Sequence, residues 1–159
     1  MARISEHAVE LARVLDAPRI ASMSRDYIEI GLGWKWTAGR VRKCLRDPDT
    51  NVVLVRESGA IAGFAIMQYG DDEAHLLLLA VDSSRRRRGI GTALIRWLET
   101  SALTAGIGVV YLEARWRNGE ARGFYRQHGY AEVARVPRMY RGVEDGLRIA
   151  KDLWDKADA

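Results

Sequence analysis

Leu76-Leu77-Leu78-Leu79-Ala80-Val81-Asp82-Ser83-Ser84-Arg85-Arg86-Arg87-Arg88-Gly89-Ile90-Gly91-Thr92 is the stretch on which the reading of this chain turns. It opens as a continuous apolar run, the pattern of a central strand covered on both faces. It closes on glycines that lead into a helical pattern over residues 89–105, where Ile90, Leu94, Trp97, Leu98 and Ala102 share one face. Four consecutive arginines stand between the two. A helix N-terminus offers unpaired backbone N–H groups and about half a positive charge, and glycine lets a ligand approach that backbone closely. Strand, basic glycine turn and helix, in that order, suit a diphosphate. They suit a plain strand-to-helix turn with solvated arginines equally well, and arginine runs also occur in RNA-binding segments. Two other phosphate loops are excluded. Leu94 occupies the third glycine position of a dinucleotide fingerprint, and no Gly-Lys-Ser/Thr follows as in a P-loop.

Upstream of this stretch, residues 51–56 and 61–69 read as strands rich in branched apolar residues, joined by Glu57-Ser58-Gly59-Ala60. Gly70-Asp71-Asp72 turns the chain into the strand 74–81, completing an antiparallel meander. Residues 5–47 read as helical. Ala8, Leu11, Leu15 and Ile20 fall loosely at helical spacing, and Pro18 breaks or restarts the helix. A second helix over 19–30 is interrupted by Gly31-Leu32-Gly33-Trp34-Lys35-Trp36. Thr37 then caps a third, which Asp47-Pro48-Asp49 ends.

Downstream, Gly106 and Gly108 stop the helix and residues 109–115 form a fourth strand. The helical connection makes it a parallel neighbour of the strand before the arginines. Asn118 caps a short helix over 119–128 with Gly129 at its end, and residues 130–136 and 146–153 form a final antiparallel pair. There is no repeat and no low-complexity linker, so residues 1–159 read as one domain.

Composition narrows the class. Of 159 residues, 48% are hydrophobic and 29% charged, ordinary values for a globular protein with a core of its own. No apolar run approaches a membrane span, and Met1-Ala2-Arg3-Ile4-Ser5-Glu6-His7 does not read as a signal peptide. The net charge of +4 rests mostly on arginine, which favours planar contact with phosphate or carboxylate. One cysteine, Cys44, allows no internal disulfide and suggests a reducing compartment, the cytoplasm; it reads as a small apolar residue rather than a nucleophile. His7, His75 and His128 lack metal-ligand spacing, so no metal is expected and each reads as a surface or boundary residue.

Two further residues carry possible chemistry. Glu113 lies inside the strand Val109-Val110-Tyr111-Leu112-Glu113, where a carboxylate is costly unless paired or used. It is either the partner of an arginine such as Arg115 or Arg117, or a general base whose pKa burial has raised. Tyr125, on the short helix, is either a core tyrosine with its hydroxyl bonded or a proton donor.

Taken together, the residues from about 76 to 153 resemble the GNAT superfamily of N-acetyltransferases, and within it the bacterial ribosomal-protein alanine N-acetyltransferases. Arg86-Arg87-Arg88-Gly89-Ile90-Gly91 matches the superfamily's pyrophosphate motif, Gln/Arg-x-x-Gly-x-Gly/Ala. Leu79-Ala80-Val81-Asp82 matches the strand whose backbone pairs with pantetheine, and Leu112-Glu113-Ala114-Arg115 matches the segment holding the base. Asn118 falls on an asparagine that contacts the cofactor. Tyr125, with Gly129 and Tyr130 after it, falls on the acid tyrosine. Asp82-Ser83-Ser84 lacks a proline common at that point, and the segment from Gly31 to Trp36 does not match these enzymes.

The resemblance implies an α/β (α+β) fold: a mixed, mostly antiparallel central sheet with helices on both faces. It implies acetyl-CoA as cofactor, held by Leu79, Ala80, Val81, Arg86, Arg87, Arg88, Gly89, Ile90, Gly91, Thr92 and Asn118. Glu113 and Tyr125 would be the base and acid of a direct transfer to a primary amine. The acceptor is a protein N-terminus or a small molecule, with Tyr27, Glu29, Trp34 and Tyr140 as candidate contacts. A monomer or homodimer is expected, with no membrane partner. A non-catalytic CoA sensor is argued against by the intact Glu113 and Tyr125. An RNA-binding module is argued against by the lack of aromatics among the arginines.

Overall fold

The computed structural model describes residues 7–155. Seven strands, β1 (Val9–Leu11), β2 (Thr50–Glu57), β3 (Ala60–Tyr69), β4 (Glu73–Val81), β5 (Val109–Arg115), β6 (Ala131–Tyr140) and β7 (Glu144–Asp152), form one sheet in the order β1-β2-β3-β4-β5-β7-β6. Among the described residues, four α-helices, α1 (Ala17–Tyr27), α2 (Ala38–Arg46), α3 (Ile90–Thr104) and α4 (Gly119–Gln127), and two 3-10 turns, Val14–Asp16 and Ser83–Arg85, accompany the sheet. The sheet is mixed and mostly antiparallel, with a parallel step between β4 and β5. The chain divides into two compact units: the part up to Gln68 with Leu78–Leu98, and Tyr69–Leu77 with the part from Glu99 on.

In the first unit, β2 and β3 pair antiparallel from Thr50 opposite Gln68 to Glu57 opposite Ala60. Ser58 and Gly59 make the turn with φ of 51° and 81°. Val52, Val53, Leu54 and Val55 are all buried, as their unbroken apolar run requires. Gly63 sets how closely α3 packs on β3. A Cβ at this position would lie 2.8 Å from Ile90 Cγ2 and 3.1 Å from the Ala80 carbonyl oxygen. Ile90, Leu94 and Leu98 are fully buried, and truncating such a side chain to alanine costs about 2–5 kcal/mol.

The N-terminal reading needs correction. Residues 8–11 belong in part to a strand, with Val9 opposite Val55 and Leu11 opposite Val53; residues 5 and 6 of the expected helix lie outside the described residues. Leu11 and Leu15 do not line a core face: Leu15 is 92% exposed. Pairing with β2 satisfies the backbone of this segment, and that tertiary contact overrides a weak period. Pro18 does restart the helix, standing in the first turn of α1. Thr37 caps α2, its hydroxyl accepting the Arg40 N–H at 3.4 Å.

In the second unit, β4 runs parallel to β5, with Glu73 opposite Val109 and His75 opposite Tyr111. β7 lies between β5 and β6 and places Arg148 opposite Glu113. Both late strands are longer than the sequence suggests, and β6 is bulged near Glu132 and again beyond Val136. Tyr130 donates its hydroxyl to Glu99 at 2.8 Å, and the same carboxylate receives Lys151 at 3.2 Å. β4 is not sealed on both faces: Ala74, Leu76, Leu78 and Ala80 are buried, while His75, Leu77, Leu79 and Val81 are half-buried.

Candidate active site

The basic turn belongs to the first unit. Asp82 follows the last residue of β4, and its N–H bonds the Ala62 carbonyl at 2.8 Å. Its carboxylate accepts the Ser84 N–H at 3.0 Å and the Ser84 hydroxyl at 2.9 Å, which hold its pKa below the usual carboxylate range. Arg87 and Gly89 both have left-handed backbones, φ 63° and 83°. Only glycine takes that conformation without cost, so the strain falls on Arg87. The Gly89 carbonyl accepts from Ala93 at 3.0 Å, making Gly89 the residue from which α3 starts. The N–H groups of Ile90 and Gly91 follow in the first turn, where a helix has no carbonyl of its own to offer them.

The arginine side chains divide. Arg85 bonds Glu57 at 3.3 Å and Asp82 at 3.2 Å, and Arg88 bonds Glu57 at 3.2 Å. These four residues are tied to one another, and an open depression of about 500 Å³ is lined by Glu57, Ser58, Ser84, Arg85 and Arg88. A carboxylate in its lining disfavours a phosphate there. Arg86 lies over the ring of Tyr27, 5.8 Å from its centroid. The turn itself, two left-handed residues leading into open helix N–H groups, has the backbone a diphosphate needs.

The second unit carries the titratable face. Glu113 is not paired with Arg115 or Arg117. Its Oε2 lies 2.5 Å from His75 Nε2, and its other oxygen 3.8 Å from Arg148. Arg115 is bidentate to Glu144, at 2.9 and 2.6 Å. The expected upward shift of Glu113 is reversed: the His75 hydrogen bond, with help from the charge of Arg148, outweighs burial and lowers its pKa. His75 is no bystander at the surface, since its ring stacks on Tyr111 with centroids 4.3 Å apart and planes 13° from parallel. Sequence reasoning missed both His75 and Arg148. A histidine inside an otherwise apolar strand was the available signal, of the same kind that singled out Glu113.

Tyr125 is 6% exposed and packs edge-on against Phe124 and Tyr130 at 5.1 and 5.6 Å. Burial pushes its pKa up. Its hydroxyl makes no hydrogen bond among the described residues, unlike that of Tyr130. Asn118 caps α4 through Oδ1, which accepts the Ala121 N–H at 3.1 Å. Tyr140 is pushed up to about 12, by burial first and by the negative charge of Glu113 second.

The remaining candidates have structural partners. Glu29, 9% exposed, accepts from the Ser24 hydroxyl at 2.8 Å and from the N–H groups of Lys35 at 2.7 Å and Trp36 at 3.2 Å. Trp34 donates to the Ala21 carbonyl at 3.2 Å, with Arg25 over its ring. Burial raises the Cys44 thiol, which keeps it protonated. Among the described residues no cluster could hold a metal, and no helix is long and apolar enough to cross a membrane.

The chain belongs to the acetyltransferase (GNAT) family, whose model matches residues 14–130. It is 37% identical over 94 residues to the [ribosomal protein bS18]-alanine N-acetyltransferase of Escherichia coli K12, an alignment spanning 59% of this chain and 63% of that protein's length. It is 34% identical over 125 residues to the N-alpha-acetyltransferase RimI of Mycobacterium tuberculosis, spanning 76% of this chain and 77% of the relative. The crystal structure of Ard1 from Thermoplasma volcanium shares the fold with a TM-score of 0.82, at 22% identity over 95% of this chain and 100% of that one.

Proposed function

We propose that residues 1–159 act as one domain that transfers an acetyl group from acetyl-CoA to the α-amine of a protein N-terminus, in the cytoplasm. Two relatives named for alanine or N-alpha acetylation support the acceptor class, and the lone Cys44 suits a reducing compartment. The observation that carries the chemistry is the contrast at Tyr125: a nearly buried phenol whose hydroxyl has no protein partner among the described residues. A core tyrosine ordinarily bonds its hydroxyl, so this one is left available to a ligand.

Acetyl-CoA supplies an activated acyl thioester when bound. The N–H groups of Ile90 and Gly91, with the turn from Arg86 to Gly89, would hold its diphosphate, and Asn118 would add a contact through its amide NH2. Backbone N–H groups around Leu79 and Val81 would receive the carbonyl oxygen as it gains charge. Glu113 draws a proton from the acceptor ammonium, directly or through an intervening group, and frees the nitrogen lone pair for attack. An α-amine, with a pKa of about 7.7–8.0, gives up that proton far more readily than a lysine at about 10.4. As the C–N bond forms and the C–S bond breaks, Tyr125 gives its proton to the sulfur. The second proton shed by the nitrogen returns to Tyr125 through water. No covalent enzyme intermediate is required.

Acetyl-CoA at a hundred times its Kd should raise Tm by roughly 5–10 °C; no shift at saturation would sink the reading. A screen of N-terminal peptides against free small amines, with acetyl-CoA as donor, tests the acceptor class. Turnover confined to the small amines would reassign it.

A further inference from the structure

Glu113 and His75 meet on the half-buried face of the second unit. A separation of 2.5 Å between His75 Nε2 and Glu113 Oε2 is a short hydrogen bond. An ionised carboxylate can only accept, so the hydrogen sits on Nε2, and in a neutral imidazole the lone pair is then on Nδ1. Nδ1 has no hydrogen-bond partner among the described residues, and the side chain is 24% exposed. The ring is held in place by its stack on Tyr111, the residue that the parallel register sets opposite it. Arg148, 3.8 Å from the second oxygen of Glu113, favours the ionised carboxylate that this arrangement needs. A carboxylate orienting an imidazole by one nitrogen and leaving the other to react is the working geometry of many acid–base sites.

We propose that His75 is the catalytic base of this site: Nε2–H is anchored on Glu113, and Nδ1 takes the proton from the acceptor ammonium. The proposal rests on the reading that this face receives the amine, and it names the intervening group left open there. The ammonium loses one proton to Nδ1, and its nitrogen keeps the electron pair that bonds to the acyl carbon. The imidazolium so formed carries hydrogen on both nitrogens, with Glu113 balancing its charge, and returns the proton to water after the product leaves. A carboxylate held below its usual range by its hydrogen bond to His75 is a poor acceptor for an α-ammonium, which favours a route through the open ring nitrogen beside it.

The test compares His75→Gln, Glu113→Gln and the double variant, using an amine that the wild-type enzyme acetylates. Glutamine at position 75 retains an N–H for Glu113 and has no basic nitrogen, so it separates proton transfer from positioning. His75→Gln should lower kcat/KM about 10²-fold. The double variant should fall no more than about threefold further, since one unit is lost twice, and the Tm shift with acetyl-CoA should persist in every variant. Nitrogen-15 NMR of the wild-type ring should show hydrogen on Nε2 and a bare Nδ1. His75→Gln within about threefold of wild type, or hydrogen on Nδ1 with Nε2 bare, overturns the proposal. If Glu113→Gln still costs about 10²-fold in that event, Glu113 acts alone and the proposed function stands. If both variants keep wild-type rates, the face is not the reacting site and that reading falls with it.

Discussion

The basic turn and the β5 face treat their charged side chains in opposite ways. In the turn, the conspicuous arginines are largely committed: Arg85 and Arg88 to Glu57 and Asp82, Arg86 to the ring of Tyr27. What remains open there is backbone, shaped by the left-handed Arg87 and Gly89. On the face, the strand backbone is paired along β7 and the side chains carry the chemistry, His75 on Glu113; on α4 of the same unit, Tyr125 keeps an unbonded hydroxyl. A site built from backbone should tolerate changes of side chain and suffer from changes of φ. A site built from side chains should do the reverse.

The sharpest break of that contrast is at the two neighbouring tyrosines. Tyr125→Phe removes the unbonded hydroxyl of α4, and we expect kcat to fall roughly 10- to 100-fold with Tm nearly unchanged. Tyr130→Phe removes the donor to Glu99, and should cost about 1–2 kcal/mol in chemical denaturation while leaving kcat alone. An exchange of these two outcomes would mean that the unbonded hydroxyl has no special role. Next in size is Gly89→Ala, where the left-handed backbone costs an alanine about 1–2 kcal/mol. Acetyl-CoA affinity measured by calorimetry should drop about tenfold as the turn relaxes. The smallest effect belongs to Arg87→Gly, which removes a charge and relieves the same strain. Affinity should stay within about threefold of wild type, and a larger loss would show that the turn works through its side chains after all.

Legibility in the sequence followed the range of the interactions. β5 was readable to its ends, and Thr37 and Asn118 were readable as caps, because a cap and a run of branched residues are set by neighbours a few positions away. β1 was not, because only its pairing with β2 makes three residues a strand. The place of β7 between β5 and β6 was equally out of reach, and with it Arg148 beside Glu113. The direction of the Glu113 shift failed for the same reason. Burial can be guessed from a strand, but the histidine that reverses its effect stands 38 residues away.

Glu29 closes the segment between α1 and α2 with one carboxylate on two amides and a hydroxyl. In exchange experiments the Lys35 and Trp36 amides should therefore trade hydrogen for deuterium together, each time that carboxylate lets go. Two adjacent amides become a gauge of how often the loop opens, readable without substrate, cofactor or any assay of turnover.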